Sequence, residues 1–304
     1  MNSIISVKNL CKSYGEIKAV DNISFEVEEG KLFAFLGENG AGKSTTINIL
    51  CSALKKDSGE VIINGYNLDQ DIMGVKGSIG IVYQNSILDK VLTVYENLVS
   101  RGALYGLTKH DIEAKIAELD KLLDITPLLK RRYGTLSGGQ RRKVDIMRGL
   151  LSSPKILFLD EPTTGLDPKS RKQVWDTISY LIKKMGLTVF LTTHYMEETE
   201  NADNVVILDH GKIVASGNPE ELKTKYAKTV FKLKTPQSKK LDNILKKEGL
   251  SYTYNNGYVI NMENSDIAKG FIIKYSDILG EWEFIAGNMD TVFLNITGRS
   301  LKGE

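Results

Sequence analysis

The sequence predicts an α/β protein whose core is a parallel sheet carrying a phosphate-binding loop. The run Leu32–Leu36 is apolar on both faces, as in a buried parallel strand, and it stops at Gly37 before a helical stretch. Further along, apolar strand candidates flank a helical stretch over 170–185, the alternation expected of a parallel α/β sheet. These candidates span residues 156–159, 188–192 and 205–208.

The composition is that of an ordinary soluble globular protein with one large domain and something smaller. Of the 304 residues, 41% are hydrophobic and 26% are charged. Lys and Arg number 40 against 38 Asp and Glu, and the formal charge of +2 is too balanced to indicate a polyanion-binding surface. We therefore expect no nucleic acid among the partners.

The cysteine usage and the hydropathy pattern favour a cytoplasmic location. Cys11 and Cys51 cannot build a disulfide framework, and no CxxC or Cys/His cluster suggests zinc. The N-terminus lacks the basic start and long apolar stretch of a secretion signal. No window approaches the roughly 20 apolar residues that span a bilayer, so a partner would do any spanning.

The first part of the chain predicts an antiparallel β patch, a helix after the glycine-rich loop and then a helical insert. The helix should run from residue 43 to about 54. Apolar residues recur at spacings of three and four within 85–151, which indicates the insert. The core domain is expected to end near residue 226. Short β-like runs lie at 4–7, 19–27 and 31–36, and an antiparallel patch is expected to open the fold.

Residues 227–304 predict a small accessory α+β domain. The order strand, helix, strand, strand, helix, strand is typical of a ferredoxin-like unit. Its aromatic residues are more typical of a core than of a ligand pocket. The elements are expected at 230–233, 239–247, 251–254, 258–262, 266–274 and 282–286. The aromatic residues include Tyr252, Tyr254, Tyr258 and Trp282.

The segment Gly37-Glu38-Asn39-Gly40-Ala41-Gly42-Lys43-Ser44 satisfies the phosphate-loop pattern G-x-x-x-x-G-K-[ST] in the required strand-to-helix context. Glycines let the backbone wrap closely, and N–H groups at a helix N-terminus attract phosphate oxygens. Lys43 would reach the β- and γ-phosphates, and the Ser44 hydroxyl would bind Mg²⁺. The predicted nucleotide-binding residues here are Gly37, Asn39, Gly40, Ala41, Gly42, Lys43, Ser44 and Thr45.

Two adjacent carboxylates follow a second apolar strand. In Ile156-Leu157-Phe158-Leu159-Asp160-Glu161-Pro162, they stand at the C-terminal end of that strand, the edge where ligands bind in open α/β sheets. Asp160 would hold Mg²⁺, mostly through water. Glu161 is the candidate general base that orients and polarises the attacking water.

The segment Leu136-Ser137-Gly138-Gly139-Gln140 lies before the carboxylate strand and resembles the signature motif of ATP-binding-cassette (ABC) ATPases. With the other motifs in order, the resemblance runs through roughly residues 4–226. It implies a P-loop NTPase fold of the ABC type, with an antiparallel β subdomain and a helical subdomain at about 85–151. The ATPase domain would then be residues 1–226, followed by the accessory domain.

The same resemblance assigns further residues to the site. Ser137, Gly138, Gly139 and Gln140 would form an anion cradle that faces the γ-phosphate bound to the other subunit. Other positions that match family motifs are Gln84 (metal, attacking water and sensing of the membrane partner), His194 (γ-phosphate contact), Asp167 (communication between the two sites) and Tyr14 (stacking on adenine). Without the resemblance, Gln84 would be a surface amide, His194 a structural histidine and Tyr14 a packing residue.

Three stretches resemble more specifically the drug-resistance branch of bacterial ABC exporters. They are Leu88-Asp89 with Leu92-Thr93-Val94, the run from Thr192 to Glu198, and Met289-Asp290-Thr291-Val292-Phe293-Leu294 with Thr297-Gly298-Arg299. The branch implies a separate membrane permease and export of hydrophobic drugs, antimicrobial peptides or glycan precursors. The signature ends in Gln rather than the Met of many such members, which leaves the substrate open.

The sequence therefore predicts the ATP-hydrolysing subunit of an ABC transporter that uses ATP and Mg²⁺. It would work as a homodimer, at the inner face of the plasma membrane through its permease. Two alternatives remain open: a soluble ABC ATPase that acts on ribosomes or nucleic acid, and a regulatory chain whose C-terminal domain senses a ligand. The first is disfavoured because the chain has one cassette and no long coiled coil or zinc module.

Overall fold

The computed structural model describes residues 3–227, 229–262, 265–285 and 287–298 of the chain. Contacts divide the chain into two compact units, Met1–Val214 and Ala215–Glu304. This division falls earlier than the boundary expected after residue 226, and the expected extent of the ATPase domain itself stays a prediction. Within the described residues, no helix is long and apolar enough to cross a membrane.

The first unit combines two sheets with helices. Its strands are β1 (Ser3–Tyr14), β2 (Ile17–Glu28), β3 (Leu32–Leu36), β4 (Ser58–Ile63), β5 (Tyr66–Asn67), β6 (Ile79–Val82), β7 (Ile156–Asp160), β8 (Thr188–Thr193), β9 (Asn204–Asp209) and β10 (Lys212–Gly217), the last of which runs into the second unit. Its helices are α1 (Lys43–Leu50), α2 (Ile72–Ser78), α3 (Val94–Ala103), α4 (Lys109–Leu123), α5 (Gly138–Leu150) and α6 (Pro168–Met185).

The antiparallel sheet has the strand order β2-β1-β4-β5 and confirms the predicted β patch. Apolar side chains such as Val7, Ile23 and Val61 bury one of its faces. This burial is the main stabilisation that strands of this kind gain on folding. The sheet also carries Tyr14 at the end of β1.

The second sheet has the order β10-β9-β3-β8-β7-β6, and its strands from β9 to β6 run parallel. Every residue of β3, β7 and β8 is buried, as predicted for strands covered on both faces. Leu36 stands opposite Thr193 and Asp160 opposite Thr192. The carboxyl ends of these three neighbouring strands therefore lie at one edge of the sheet.

The region expected to hold the helical insert opens with a loop and continues with a helix that starts where the apolar spacing begins. Residues 85–93 form a loop, and helix α3 starts at Val94. The loop holds local hydrogen bonds that compete with a helix: Asp89 accepts from the backbone N–H of Val91 and donates its own N–H to Asn97. Capping boxes at Thr93 and Thr108 then fix the starts of α3 and α4.

Helix α1 is shorter than predicted. It ends at Leu50 rather than near residue 54. Ser52 adopts a left-handed backbone with φ of 57°, which stops an α-helix because L-residues do not continue a helix from that region.

The second unit contains a small antiparallel sheet with helices. Its strands are β11 (Thr229–Leu233), β12 (Tyr252–Tyr254), β13 (Tyr258–Met262) and β14 (Trp282–Ile285), and its helices are α7 (Pro219–Tyr226), α8 (Lys239–Lys247), α9 (Ser265–Tyr275) and α10 (Met289–Thr297). From β11 to β14 the order is βαββαβ, and the sheet order β12-β13-β11-β14 is that of a ferredoxin-like fold. The prediction is confirmed.

The expected core aromatics of this unit divide between core and surface. Tyr258 is fully buried among residues such as Phe231 and Leu241, whereas Trp282 is 48% exposed on the edge strand β14. The core assignment was wrong for Trp282 and also for Tyr254, which is 37% exposed on the other edge strand, β12. One face of an edge strand can remain open to water. Residues 286 and 299, which the sequence analysis placed in a strand and in a terminal motif, lie outside the described residues.

The packing of the parallel sheet depends on a cluster of phenylalanines. Phe190 on β8 lies with its ring centroid 5.0–6.1 Å from those of four other rings. These are Phe25, Phe33, Phe35 and Phe158. Because protein cores are close-packed, removing the central ring leaves a cavity that its neighbours cannot fill completely.

We predict that Phe190→Ala lowers the free energy of unfolding of the first unit by about 3–5 kcal/mol, the usual cost of emptying a buried phenylalanine site. Urea unfolding followed by tryptophan fluorescence and circular dichroism measures this. Tyr180→Ala is the matched control, since Tyr180 is 46% exposed on α6 and should change stability by less than about 0.5 kcal/mol. Equal effects of the two changes would contradict the central role of Phe190.

Candidate functional site

The glycine-rich loop leaves the C-terminal end of β3 and enters α1, as predicted. Gly40 and Gly42 have φ of 87° and 107°, values that L side chains rarely adopt. A Cβ on Gly42 would collide with the carbonyl oxygen of Ala19, and one on Gly37 would lie 2.6 Å from that of Leu208. The loop thus packs directly against the backbone of Ala19 and Leu208. Asn39 and Gly40 are exposed at its tip, Ala41 is buried, and Thr45 is half-buried in the first turn of α1.

Lys43 lies inside the loop with only 4% of its surface exposed. Its ammonium group donates to the carbonyl oxygens of Gly37 at 2.6 Å and Glu38 at 3.0 Å, and it lies 3.6 Å from Oε1 of Glu161. Burial lowers the pKa of Lys43, although the carboxylates of Glu161 and Asp160 oppose this shift. A buried cation is therefore fixed at the edge of the sheet.

Asp160 ends β7 and is nearly buried. Its Oδ1 accepts a hydrogen bond of 2.5 Å from the hydroxyl of Thr192. Burial raises the pKa of Asp160, and the neighbouring Glu161 adds to the rise. The Ser44 side chain lies near enough to favour the charged form of Asp160, which offsets a little of this rise in pKa. Asp160 and Ser44 are two of the three residues predicted to hold a metal, and Gln84 is the third.

The donor set at this point fits Mg²⁺. Mg²⁺ prefers oxygen ligands and is usually bound in proteins by one or two side chains together with substrate phosphates and water. Ser44 begins α1 next to Lys43 and Asp160 ends β7, so both offer side-chain oxygens at the edge of the sheet. Within the described residues, no group of three or more His, Cys, Asp and Glu side chains could hold a metal ion. A cation at this edge would therefore need phosphate oxygens to complete its coordination.

Glu161 is the centre of the site. Its carboxylate is 6% exposed, and Oε2 accepts hydrogen bonds from Nε2 of Gln84 at 3.0 Å and from the hydroxyl of Thr164 at 3.1 Å. Nδ1 of His194 lies 3.2 Å from the same oxygen, but its alignment does not make a hydrogen bond. Lys43, Gln84 and His194 thus each lie beside the carboxylate of Glu161.

The signature segment makes contacts within its own helix and with the loop after β7. Ser137 is the N-cap of α5: its hydroxyl accepts from the N–H of Gln140 at 3.3 Å, and its own N–H donates to the Gln140 side chain at 3.1 Å. Gly139 packs so closely on Ser170 that a Cβ would collide with its hydroxyl. Gly138 is half-buried next to Leu166.

Two of the predicted residues lie at other places in the first unit. Asp167 is the N-cap of α6, where its carboxylate accepts from the N–H and the hydroxyl of Ser170. These hydrogen bonds lower the pKa of Asp167. Tyr14 is 50% exposed at the end of β1, and the Lys12 ammonium lies 5.8 Å from its ring centroid. An exposed aromatic face of this kind is open to stacking.

Sequence reasoning missed a set of charged residues on α5. Arg142 donates to the carbonyl oxygens of Tyr83 at 2.8 Å and Gln84 at 3.3 Å. Asp145 accepts from the hydroxyls of Ser86 at 2.5 Å and Tyr133 at 3.1 Å. Both side chains are buried, so the helix that follows the signature segment is bonded to the loop that carries Gln84.

A weak signal for this connection exists in the sequence. Arg142, Asp145 and Arg148 recur every three residues, and so they share one face of a helix. Arg148 also bonds the backbone next to this loop, at the carbonyl oxygen of Ile81. Burial lowers the pKa of both arginines and raises that of Asp145. A charged face on a helix is usually solvated, however, and only the fold shows that this one is buried.

The fold and the site define a phosphate-loop ATPase that carries a second helix N-terminus, the signature segment, apart from its own phosphate loop. The family model described as ABC transporter matches residues 20–164. The doxorubicin resistance ATP-binding protein DrrA of Mycobacterium tuberculosis is 41% identical over 244 residues, which cover 79% of this chain and 73% of that protein. The chain belongs to the ABC transporter family, as an ATP-binding subunit that hydrolyses ATP.

Other known proteins agree with this membership. The linearmycin resistance ATP-binding protein LnrL of Bacillus subtilis is 38% identical over 220 residues, which cover 72% of this chain and 70% of that protein. The structure of cbiO1 from Clostridium perfringens, part of the ABC transporter complex cbiONQ, superposes with a TM-score of 0.67. It is 30% identical and covers 73% of this chain and 91% of its own.

A solved ATP-binding cassette is also similar in fold. This cassette, described as a dimer in a post-hydrolysis state with ADP and Pi, superposes with a TM-score of 0.65 at 26% identity. The match covers 70% of this chain and 98% of that one. Both likenesses to solved structures confirm the predicted fold class.

We predict that Arg142→Met loosens the Gln84 loop. The change leaves two backbone carbonyl oxygens without their charged donor, and hydrogen bonds to charged groups contribute about 1.5–3 kcal/mol each. Hydrogen exchange followed by mass spectrometry should show amides of residues 83–90 exchanging at least about 10-fold faster. Lys143→Met, one position along the same helix and half-buried, is the control and should leave exchange there unchanged.

Proposed function

We propose that the chain powers an exporter by hydrolysing ATP in two sites shared between two subunits. The observation that carries this proposal is the set of contacts around the Glu161 carboxylate. Gln84 and Thr164 donate to it, and Lys43 and His194 lie beside it. These residues come from segments far apart in the chain, and their convergence on one buried carboxylate suits activation of water for attack on a phosphate.

Each residue of this group has a distinct task in the proposed reaction. Glu161 accepts the proton of the attacking water, and the donation from Gln84 keeps its carboxylate oriented. Lys43 offsets the negative charge of the β- and γ-phosphates, while the N–H groups of the phosphate loop bind their oxygens. His194, whose Nδ1 lies 3.2 Å from Oε2 of Glu161, would contact the γ-phosphate. The buried setting strengthens these interactions because little water competes with them.

The residues proposed for the metal ion and for the adenine ring fit the same scheme. Ser44 and Asp160 would hold Mg²⁺, with the side-chain oxygen of Gln84 as a further ligand, and the ion would supply charge neutralisation at the phosphates. Tyr14 stacks on the adenine ring from its exposed position on the antiparallel sheet. Thr45 and Asn39 complete the surroundings of the phosphates.

The signature segment is the observation that favours a second subunit in this proposal. The N-terminus of α5 attracts anions, and its cap Ser137 is exposed with a long 3.3 Å hydrogen bond that a phosphate oxygen can replace. Ser137, Gly138 and Gly139 then bind the γ-phosphate of the partner subunit, and Gln140 orients this turn. Asp167 lies at the contact between the subunits. Because one chain carries all of these residues, a homodimer is favoured.

A separate permease would dock beside the Gln84 loop. A cleft of about 380 Å³ lies there, lined by Gln84, Ser86, Arg141 and Thr164 among others. Ile87 and Val91 on the loop are 43% and 71% exposed, as is common for residues at protein contacts. Arg142 and Asp145 bond this loop to α5. A displacement of the loop by the permease would therefore move α5, whose N-terminus carries the signature segment.

The names of the relatives support export of a hydrophobic compound. They are described as doxorubicin and linearmycin resistance proteins, and another, from Cupriavidus metallidurans, is described as a Nod factor export ATP-binding protein. We therefore propose a hydrophobic drug, an antimicrobial peptide or a glycan precursor as the cargo class. The subunit would sit on the cytoplasmic face of the plasma membrane through its permease.

We predict that Glu161→Gln lowers kcat by roughly 10²- to 10⁴-fold while ATP binding is kept, because only the general base is removed. Phosphate release measures the rate, and equilibrium binding of a fluorescent ATP analogue measures affinity. Glu118→Gln, an exposed carboxylate on α4, is the control and should hydrolyse ATP normally. Near-normal turnover of Glu161→Gln would remove Glu161 from the role of base.

Isolation of the protein from its native membrane in mild detergent tests the transport assignment. We expect a polytopic permease to be recovered with it in stoichiometric amount, as identified by mass spectrometry. Ile87→Asp with Val91→Asp should weaken that recovery, because both changes put charge on the exposed apolar surface of the Gln84 loop. Recovery of ribosomes or DNA without a permease would overturn export and favour the alternative of a soluble ABC ATPase.

A further inference from the structure

A buried glutamate follows His194 and takes no part in the reaction proposed above. Glu198 lies in the short 3-10 turn Met196–Thr199 and is only 2% exposed. A buried carboxylate is costly unless hydrogen bonds or ion pairs satisfy it. Its neighbour Glu197 has the more usual arrangement, since it is exposed and pairs with Arg171 at 2.5 Å.

The Glu198 carboxylate is held by two threonine hydroxyls. The hydroxyl of Thr163 donates to Oε1, and that of Thr193 donates to Oε2 at 2.6 Å. Both threonines are fully buried. Each carboxylate oxygen thus receives a short hydrogen bond from a different segment of the chain.

These two segments carry the groups that flank the reacting phosphate. Thr163 lies two residues after Glu161, on the loop that leaves β7, and Thr193 directly precedes His194 at the end of β8. The Thr193 hydroxyl also accepts the N–H of Tyr195 at 2.9 Å. One carboxylate therefore bridges the two loops and fixes the backbone on both sides of His194.

His194 depends on this bridge more than Glu161 does. Glu161 is held independently, because its N–H donates to the backbone oxygen of Thr192 and its carboxylate binds Gln84 and Thr164. The Nδ1 atom of His194 is buried without a hydrogen bond that would orient the ring. The imidazole packs against the Tyr195 ring, with centroids 4.1 Å apart, and Nδ1 lies 3.2 Å from Oε2 of Glu161. The backbone that carries both rings is anchored by Thr193, whose hydroxyl donates to Glu198 and accepts from the Tyr195 N–H.

We propose that Glu198 is a positioning residue for hydrolysis, which holds His194 at its working distance from Glu161 by accepting from Thr193 and Thr163. This inference rests on the proposed role of His194. A shift of about 1 Å in a catalytic group can cost 10²-fold in rate, so a bridge of this kind affects turnover without touching the substrate.

The test measures kcat and KM for ATP in the full chain. Glu198→Ala should lower kcat by roughly 10- to 100-fold and leave KM within about 3-fold. Glu198→Gln should recover most of the rate, because its amide oxygen still accepts from one threonine and its NH₂ group donates to the other. Glu197→Gln is the matched control on the same turn and should keep the normal rate. A fall in kcat and a rise in KM together would contradict positioning.

The decisive comparison uses a second set of variants with His194→Ala. If Glu198 acts through His194, Glu198→Ala should change the residual rate of His194→Ala by less than about 2-fold. A further 10-fold loss in that background would overturn the inference. Near-normal turnover of His194→Ala alone would instead reject the proposed role of His194. If Glu198→Ala does not fold, Glu198→Leu is measured in its place, since it fills the same volume without accepting hydrogen bonds.

Discussion

The site depends on the burial of one carboxylate. Glu161 lies where the ends of β3, β7 and β8 meet, and a charge that is 6% exposed needs partners close by. Those partners are Lys43 from the phosphate loop, Gln84 from the loop after β6 and Thr164 from its own turn. The Glu161 carboxylate therefore contacts all three segments and fixes their positions relative to one another. The phosphate-binding loop and the loop next to the proposed permease contact are coupled through it.

The backbone of Glu161 is as constrained as its side chain. Glu161 has φ of 45°, a left-handed conformation that costs free energy for a residue with a Cβ. This backbone conformation is held because the Glu161 N–H donates a hydrogen bond to Thr192. The Thr192 hydroxyl in turn donates to Asp160, the residue before Glu161. Strain of this kind persists only where surrounding bonds over-determine it. The parallel pairing of β7 with β8 supplies those bonds.

Several residues of the motifs have a local structural task as well as the proposed chemical one. Ser137 and Gln140 cap α5, and Asp167 caps α6 through Ser170. Gly139 is needed because Ser170 packs against its Cα. The N-terminal turns of α5 and α6 thus pack closely against each other. A change at the signature segment would therefore act on packing as well as on nucleotide binding.

The sequence predicted the parallel sheet and the ferredoxin-like unit, because strand periodicity is a local property. The phosphate-loop pattern and the carboxylates after an apolar strand indicated Lys43 and Glu161, whereas Gln84 and His194 followed only from the family resemblance. The sequence did not show that residues 85–93 form a loop before the first helix of the insert, which hydrogen bonds of Asp89 hold in place. Local turn bonds of that kind compete with helix formation in ways that apolar spacing does not reveal.

By itself, the sequence determined which side chains stand at the ends of the strands, since the order of apolar runs fixes where each strand stops. Only the tertiary structure decided the partners of Arg142, Asp145 and Glu198. Their hydrogen bonds join positions far apart in the chain. Whether a charged side chain on a helix or turn meets water or a buried hydroxyl is decided by what packs against it, and local sequence does not contain that information.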